Sequence, residues 1–289
     1  MNLKKLIKYY MPDGKVKQAL RKGYRACVTI KIRYFHANIG LLYSSEDQSF
    51  SLVLNNPCFA GGRLTFPYAS EKLSLYSAKA ILKDMESYFH PIRPDRNALI
   101  MDVGAFPGDF TVIASRMLDT GRIIALEPDP KNRDYLEKML RFNPSNINIS
   151  VLPYALSDKH GTRCFVQDDF SSAFLSCRKK RSNPRKNLIM VETKTLDSIL
   201  EEQGAFITDQ PLLIKMDIEG AELEAMKGAG KTLAHGATFL IAAYHTINKR
   251  PSCEYLKEIF TSNDYSTSIF DNGHLVLVAN PRFKNHKLF

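Results

Sequence analysis

From Ala98 to the end of the chain, short apolar runs alternate with amphipathic stretches, and this alternation limits the possible folds more than any other feature. Each apolar run has the length of a buried strand, and each stretch that follows has the spacing of a helix. Repeated β-α units predict a doubly wound α/β fold, in which helices cover both faces of a mostly parallel sheet. The predicted strands are "ALIMDV", "GRIIALEP", "INISVLPYAL", "PLLIKMD" and "ATFLIAAYH".

Boundary residues mark several of the predicted helices. Thr195 is placed to cap "TLDSILEEQ", Pro128 and Pro130 precede "KNRDYLEKMLRF", and a glycine ends "AELEAMKG". Further helices are predicted in "GDFTVIASRML" and "CEYLKEIF", and a small additional strand in "GTRCFV". Asp271-Asn272-Gly273 separates "STSIF" from "HLVLVA", which predicts a C-terminal antiparallel hairpin.

The segment before Ala98 has a different pattern. "FSLVL" at Phe50–Leu54 and "GRLTF" at Gly62–Phe66 predict a short strand pair. A helix is predicted over "SEKLSLYSAKAILKDMESYF", which Pro91 and Pro94 close. We therefore expect an N-terminal helical and β extension over residues 1–95 and a main domain over residues 96–289.

Positive charge is concentrated at the N-terminus. The first 40 residues hold ten Lys and Arg against the single acid Asp13, so they carry nearly all of the formal net charge of +10. A nearly neutral body argues against a nucleic-acid-binding domain, and the basic cluster Arg178–Lys186 is interpreted as a solvated loop. Residues 1–40 either pack a helix on the body with a solvated basic face or contact an anionic membrane surface or acidic partner.

Hydropathy and cysteine usage predict the compartment. No apolar window is long enough for a transmembrane helix, and the N-terminus lacks the apolar core of a secretory signal. The five cysteines are scattered without a CxxC pair, which is typical of reduced thiols rather than a disulfide framework or zinc site. We expect a cytoplasmic protein whose membrane contact, if any, is peripheral; the sequence does not indicate an oligomeric state.

A glycine-containing turn follows the first predicted strand, at the edge where α/β sheets bind ligands. It runs from Asp102 through Gly104 and Ala105 to Gly108. Three residues separate the glycines, so the GxGxxG spacing that accommodates a dinucleotide pyrophosphate is missing. The turn instead suits a ligand with a nucleoside and an amino-acid end, as in S-adenosylmethionine. The alternative is a plain strand-to-helix turn.

Polar residues also end the next two predicted strands. Glu127 ends the second, where a carboxylate can accept hydrogen bonds from both hydroxyls of a ribose. Ser157 and Asp158 end the third and could hold an adenine amino group, with Ala155 or Leu156 against the ring. A turn or helix cap is the alternative interpretation of that polar pair.

Five segments, in this order and at ordinary spacing, resemble the FkbM-type methyltransferase family: "MDVGAFPGDFT", "IIALEPDPKNRDYLEKML", "ALSD", "VETKTLDSIL" and "LLIKMDIEGAELEAMKGA". The resemblance covers roughly Leu99 to Leu240, and "KMDIEGAE" paired with "TLDSIL" is its most specific part. It implies a seven-stranded Rossmann-like methyltransferase sheet and methyl transfer from S-adenosylmethionine, typically to a hydroxyl of a sugar or polyketide-like product. The candidate cofactor-binding residues are Asp102, Gly104, Ala105, Gly108, Glu127, Pro128, Ser157, Asp158 and Asp217.

Methyl transfer to a hydroxyl is assisted by a residue that accepts the proton. Asp217 and Glu219 flank the exit of the fourth strand, and His245 follows the fifth. Histidine, with an ordinary pKa of about 6.5, is the better matched base at neutral pH. Asp217 could orient the histidine or meet the methyl donor, and Glu219 could cap the next helix. Their spacing does not require a divalent cation, so no metal is predicted.

The sequence thus predicts an O-methyltransferase acting on a small-molecule or glycan acceptor. An RNA or protein methyltransferase is one alternative, because of the basic arm and the Arg178–Lys186 cluster, although no Asn-Pro-Pro-Tyr-like motif is present. A non-catalytic cofactor-binding protein that attaches to membranes through its basic arm is the other.

Overall fold

The computed structural model describes residues 39–43, 50–54, 62–66, 75–167, 173–174, 187–247 and 249–282. By packing, the chain divides between Leu82 and Lys83 into two compact units. The helices predicted within residues 1–28 and the basic cluster Arg178–Lys186 lie outside the described residues. In the described part, no helix is long and apolar enough to cross a membrane. The domain boundary after residue 95 stays a prediction.

A seven-stranded, mostly parallel sheet forms the larger unit, as the β-α alternation predicts. Its strands are β4 (Leu99–Val103), β5 (Arg122–Leu126), β6 (Asn148–Leu152), β11 (Leu212–Met216), β12 (Thr238–Ala242), β15 (Tyr265–Asp271) and β16 (Leu275–Pro281). They lie in the order β15-β16-β12-β11-β4-β5-β6. Only β16 runs opposite to the other six strands of this sheet, and its antiparallel pairing with β15 confirms the predicted C-terminal hairpin.

The helices that the structure describes are α1 (Leu75–Phe89), α2 (Asp109–Ser115), α3 (Pro130–Phe142), α4 (Leu196–Glu202), α5 (Glu222–Lys227), α6 (Gly230–His235) and α7 (Ser252–Thr261). All of them except α6 were predicted from the sequence. A short 3-10 helix spans Ala205–Ile207. The Thr195 side chain caps α4 by accepting from the Ser198 amide, as its position predicts. Helix α2 ends at Ser115 and is therefore shorter than the predicted "GDFTVIASRML".

The core lies where the central strands are covered on both faces. Leu99, Met101 and Val103 of β4 pack in one apolar cluster with side chains of α4 and α7. Ile100, which points to the opposite face of the strand, is equally buried. Burial on both faces explains why these strands are continuous apolar runs rather than alternating ones.

A second, four-stranded sheet corrects the prediction for "INISVLPYAL". This run is two strands, because Pro153 separates β6 from β7 (Tyr154–Leu156) and cannot donate a ladder hydrogen bond. Strand β7 joins β8 (Gly161–Gln167), β9 (Ala173–Phe174) and β10 (Asn187–Lys194) in the order β7-β10-β8-β9. The additional strand predicted in "GTRCFV" is β8, and β10 is its antiparallel partner.

The smaller unit contains a three-stranded antiparallel sheet, β1 (Ile39–Tyr43), β2 (Phe50–Leu54) and β3 (Gly62–Phe66). The predicted strand pair is confirmed as β2 and β3, with Leu52 opposite Leu64. Strand β1, which the sequence analysis did not predict, adds to the free edge of β2.

A short hairpin lies beside the sheet edge that carries the candidate residues. Strands β13 (Thr246–Ile247) and β14 (Arg250–Pro251) pair directly after His245 and lead into α7. The Ser252 amide donates to the His245 carbonyl, which closes the loop on the histidine.

Candidate active site

The turn after β4 contacts the exit of β11. Gly104 has a left-handed backbone, with φ of 75°, and a Cβ atom there would lie 2.0 Å from the Asp217 carbonyl oxygen. Only glycine combines this conformation with so close an approach. The amides of Gly104 and Ala105 both donate to the Leu126 carbonyl at the end of β5. The turn is therefore held at the carboxyl edge of three adjacent strands.

Asp102 lies beneath this turn and is buried, with 0% exposure. Its carboxylate pairs with Lys215 Nζ at 3.0 Å and accepts a hydrogen bond from the Thr111 hydroxyl. Lys215, which is 4% exposed, also donates to the Gly104 carbonyl at 2.9 Å. Burial alone would lower the pKa of Lys215, but the carboxylates of Asp102 and Asp217 more than offset burial and raise it. Asp102 thus positions the turn, and Lys215 was not among the predicted site residues.

Gly108 begins α2 and faces α3. It has a φ of 106°, and a Cβ atom there would lie 2.8 Å from Leu136 and 2.9 Å from Met139. Ala105 is buried in a small cluster with Ala125 and Leu136. These two predicted residues therefore shape the turn from behind.

Glu127 lies at the exit of β5 and lines a cleft with Gly104 and Asp217. Its carboxylate accepts from the Asp129 amide at 3.0 Å, and the Phe106 amide and Asn132 side chain also donate to it. Burial raises the pKa of Glu127 to about 7, although these hydrogen bonds act in the opposite direction. Pro128 lies beside Glu127 in the cleft wall.

The cleft has an empty volume of about 610 Å³, open solvent included. One wall comes from the second sheet, through Tyr154, Ala155 and Leu156 of β7 and Phe165 of β8. Ala155 and Phe165 are buried and pack together. A flat apolar wall near a carboxylate suits a purine ring beside its ribose.

The polar pair after β7 contacts β8 and α5. The Ser157 hydroxyl is buried and lies 2.7 Å from Glu224 Oε1 and 3.1 Å from Asp158 Oδ1. Asp158 also pairs with Arg163 at 3.2 Å, and Arg163 contacts Glu224. These contacts join β8 to α5, and the role of the pair in cofactor binding stays a prediction.

Asp217, at the exit of β11, receives two tyrosine hydroxyls. Tyr88 of α1 donates to Oδ2 at 3.0 Å, and Tyr244, after β12, donates to Oδ1 at 3.4 Å. Burial, with the negative charge of Asp217, raises the pKa of both tyrosines, which keeps them protonated. Neither tyrosine was among the predicted site residues, and Tyr88 is 129 residues from Asp217 in sequence.

His245 lies between two glutamates. Its Nε2 is 3.4 Å from Glu219 Oε2, and its Nδ1 is 3.7 Å from Glu222 Oε1. The Glu222 oxygen also accepts from the amides of Ile218 and Gly220, so it is fixed by the turn after β11. The contact with Glu219 raises the pKa of His245 above its usual value, although partial burial acts against this. Glu219 has a left-handed φ of 57° and lines the cleft, so it does not cap α5.

The predicted residues Glu127, Asp217, Glu219 and His245 thus come together at one edge of the sheet. A family model described as "Methyltransferase FkbM domain" matches residues 102–266, which is more than half of the chain. The chain belongs to the FkbM methyltransferase family. Every candidate residue of the resemblance lies within this match.

Comparison with individual proteins gives one relative of moderate identity. A curated "Methyltransferase sdnD" from Sordaria araneosa is 28% identical over 159 residues, which is 46% of this chain and 60% of the relative. The chain therefore spans less than two thirds of the length of that relative.

The solved structures that match this chain include two O-methyltransferases. One, from Bacillus cereus in complex with SAH, has a TM-score of 0.42 and 13% identity, and covers 72% of this chain and 82% of that one. The other, TomG from Streptomyces achromogenes in complex with SAM, has a TM-score of 0.43 and 11% identity, and covers 73% and 82%. The fold of the present chain is defined by its own strand order.

The cofactor of the FkbM methyltransferase is S-adenosylmethionine. The cleft residues fit this ligand: Gly104 lines the cleft without a side chain, Glu127 offers a buried carboxylate, and Asp217 offers a second carboxylate. Among the residues that the structure describes, no group of three His, Cys, Asp or Glu side chains is arranged to hold a metal ion.

Proposed function

We propose that this protein methylates a hydroxyl group of a sugar, glycan or other natural-product-like acceptor, with S-adenosylmethionine as the methyl donor. The observation that carries the proposal is the contact of His245 with Glu219, in a turn whose Asp217 and Glu219 line the cleft together with Gly104. Acids alone would suffice to hold a cationic cofactor. A histidine oriented by two glutamates adds a proton acceptor, which a hydroxyl nucleophile needs and a thioether or thiolate does not.

The cleft residues suggest how the cofactor is oriented. The ribose hydroxyls would donate to Glu127, with Pro128 beside them, and the adenine would lie against Ala155 and Phe165. The amino-acid end would then reach Asp217, on the other side of Gly104. This assigns the Asp217 carboxylate to the α-ammonium group and places the methyl group toward Glu219 and His245.

The proton transfer follows from the contacts of His245. Glu222, which is fixed by two backbone amides, lies 3.7 Å from Nδ1, and its charge favours a proton on that nitrogen. Nε2, on the side of Glu219, is then the nitrogen that accepts a proton. Bound S-adenosylmethionine supplies an electrophilic methyl carbon on a sulfonium. His245 Nε2 would take the proton of the acceptor hydroxyl as that oxygen receives the methyl group, and Glu219 would stabilise the resulting imidazolium.

Cofactor affinity should depend on pH through Glu127. Because its pKa is about 7, the ionised form that accepts ribose hydroxyls becomes dominant only above that pH. Affinity should therefore rise between about pH 6 and 8, and Glu127→Gln should lose this rise and bind roughly tenfold to a hundredfold more weakly. Calorimetric titration with S-adenosylmethionine measures both effects.

The exposed Glu137, on α3, provides the matched control for that experiment. Glu137→Gln should keep the wild-type affinity and its rise with pH. Equal affinity of Glu127→Gln and wild type at pH 8 would remove Glu127 from the cofactor site.

The proposed function is tested by supplying methyl-labelled S-adenosylmethionine with a panel of free sugars, oligosaccharides and polyhydroxylated natural products. We expect label to enter an ether linkage of one acceptor class, at a rate that depends on His245. Transfer of label to RNA or protein, with none to the hydroxyl panel, would contradict the assignment, as would cofactor binding without transfer to any acceptor.

A further inference from the structure

Four side chains form a hydrogen-bonded row that ends in the cleft. Asp84 Oδ1 lies 3.3 Å from His274 Nδ1, and His274 Nε2 lies 3.2 Å from the Tyr88 hydroxyl. The Tyr88 hydroxyl in turn lies 3.0 Å from Asp217 Oδ2. Asp84 and Tyr88 come from α1, and His274 from the turn between β15 and β16. Tyr88 is 1% exposed, so its hydroxyl has no access to bulk water.

The hairpin turn is fastened to α1, so this row is built into the fold. The Ser87 hydroxyl lies 2.7 Å from Asn272 Oδ1, and the Asn272 amide group donates to the Lys83 carbonyl at 3.0 Å. His274 therefore cannot leave Tyr88 without separating the turn from the helix.

The number of protons on the pair of Asp84 and His274 decides the direction of these hydrogen bonds. Tyr88 stays protonated, because burial and the charge of Asp217 raise its pKa well above the usual value. When its single proton points to Asp217, the tyrosine oxygen must accept one from His274 Nε2. His274 Nδ1 then needs either a second ring proton or a proton from Asp84. The pair of Asp84 and His274 thus holds two protons in this arrangement.

The same row has a second arrangement when the pair holds only one proton. That proton lies on Nδ1, facing the Asp84 carboxylate, and leaves a lone pair on Nε2. The Tyr88 hydroxyl then donates to His274 and leaves Asp217 with Tyr244 as its remaining tyrosine donor. The orientation of one phenol proton therefore links the charge of a distant pair to the carboxylate in the cleft.

We propose that His274 and Asp84 are positioning residues that act through Tyr88 to fix Asp217 as the carboxylate for the α-ammonium group of S-adenosylmethionine. The proposal rests on the cofactor orientation in the proposed function. It assigns a role to Asp84, Tyr88 and His274, which lie outside the glycine turn. That role concerns only the amino-acid end of the cofactor.

Charged groups from three elements surround the row: Lys83 of α1, Asp109 of α2, and Lys215 and Asp217 at the end of β11. Burial and Asp217 disfavour the ionised form of Asp84, whereas His274, Lys83 and Lys215 favour it. The ring of Tyr244 lies 5.2 Å from that of His274 and covers it on the side of β12. The Asp84 side chain is 40% exposed, so the pair exchanges protons with solvent at its outer end.

The test compares two ligands on the full-length protein. S-adenosylmethionine has the amino-acid end, and 5′-methylthioadenosine keeps the nucleoside but lacks that end. His274→Ala and Tyr88→Phe should each bind S-adenosylmethionine about fivefold more weakly, the effect of one lost hydrogen bond, and 5′-methylthioadenosine with wild-type affinity. Glu127→Gln should weaken both ligands and so marks a defect at the nucleoside end.

The conservative variant separates positioning from a merely structural role. In His274→Gln the side-chain amide can still donate to Tyr88, so this variant should recover most of the affinity for S-adenosylmethionine that His274→Ala loses. His235→Gln, a substitution of an exposed histidine at the end of α6, should bind both ligands with wild-type affinity.

Each result bears on the proposal. Equal weakening of both ligands in His274→Ala, or an affinity of His274→Gln for S-adenosylmethionine as weak as that of His274→Ala, would overturn it. If His274→Ala fails to fold, Tyr88→Phe and His274→Gln decide the question alone. A wild-type protein that binds S-adenosylmethionine but methylates no hydroxyl would overturn the proposed acceptor and leave this inference standing.

Discussion

Lys215→Met is expected to lower the free energy of unfolding by about 3–5 kcal/mol. The substitution keeps the length of the side chain but leaves the Asp102 carboxylate buried beside no cation. It also removes the donor to the Gly104 carbonyl, so the glycine turn loses the hydrogen bond that joins it to β11. Urea unfolding followed by circular dichroism measures the change, since the chain has no tryptophan for fluorescence.

Lys231 provides a matched control, because it pairs with Glu201 at the surface, where both side chains are about 60% exposed. Lys231→Met should cost less than about 1 kcal/mol. The double variant Asp102→Asn, Lys215→Met should recover part of the lost stability, because no unpaired charge remains buried. A single Lys215→Met variant as stable as wild type would show that the pair does not support the turn.

His245→Ala is expected to reduce methyl transfer by roughly 10²–10⁴-fold while leaving the affinity for S-adenosylmethionine unchanged. The reason is that His245 meets the proposed acceptor through Nε2, whereas the cleft lining that faces the cofactor comes from Glu127, Gly104 and Asp217. Single-turnover rates and calorimetric titration separate the two quantities.

The exposed His160 serves as the control, and His160→Ala should transfer methyl groups at the wild-type rate. The charge of Glu219 raises the pKa of His245, so Glu219→Gln should lower that pKa and move the acidic limb of the rate profile to lower pH. A full rate in His245→Ala, or an acidic limb unaffected by Glu219→Gln, would assign the proton to another group.

The order of elements could be predicted from the sequence because each carries its own local signal. Apolar runs such as "LIMDV" identify buried strands, Thr195 identifies the start of α4, and Asp-Asn-Gly identifies the hairpin. Glu127, Asp217 and His245 could be placed at one edge because parallel strands bring their carboxyl ends together.

Partners across the sequence could not be predicted in this way. Lys215 lies opposite Asp102 only because of the register between β4 and β11, although a lone lysine inside an apolar strand was a signal that could have been used. Tyr88 and His274 reach the site through the packing of α1 and the hairpin turn. Pro153 separates β7 from β6, so β7 joins a second sheet. Strand β8 of that sheet places Phe165 in the cleft wall.

The missing side chain of Gly104 has a consequence for the two ligands. The Asp217 carbonyl occupies the place of a Cβ atom, and the Asp217 amide donates to the Val103 carbonyl, so we expect the turns after β4 and β11 to move together. An acceptor that displaces the second turn must also displace the first. Any resulting change in cofactor affinity is matched by an equal change in acceptor affinity, so the tightness of one ligand reports on the presence of the other.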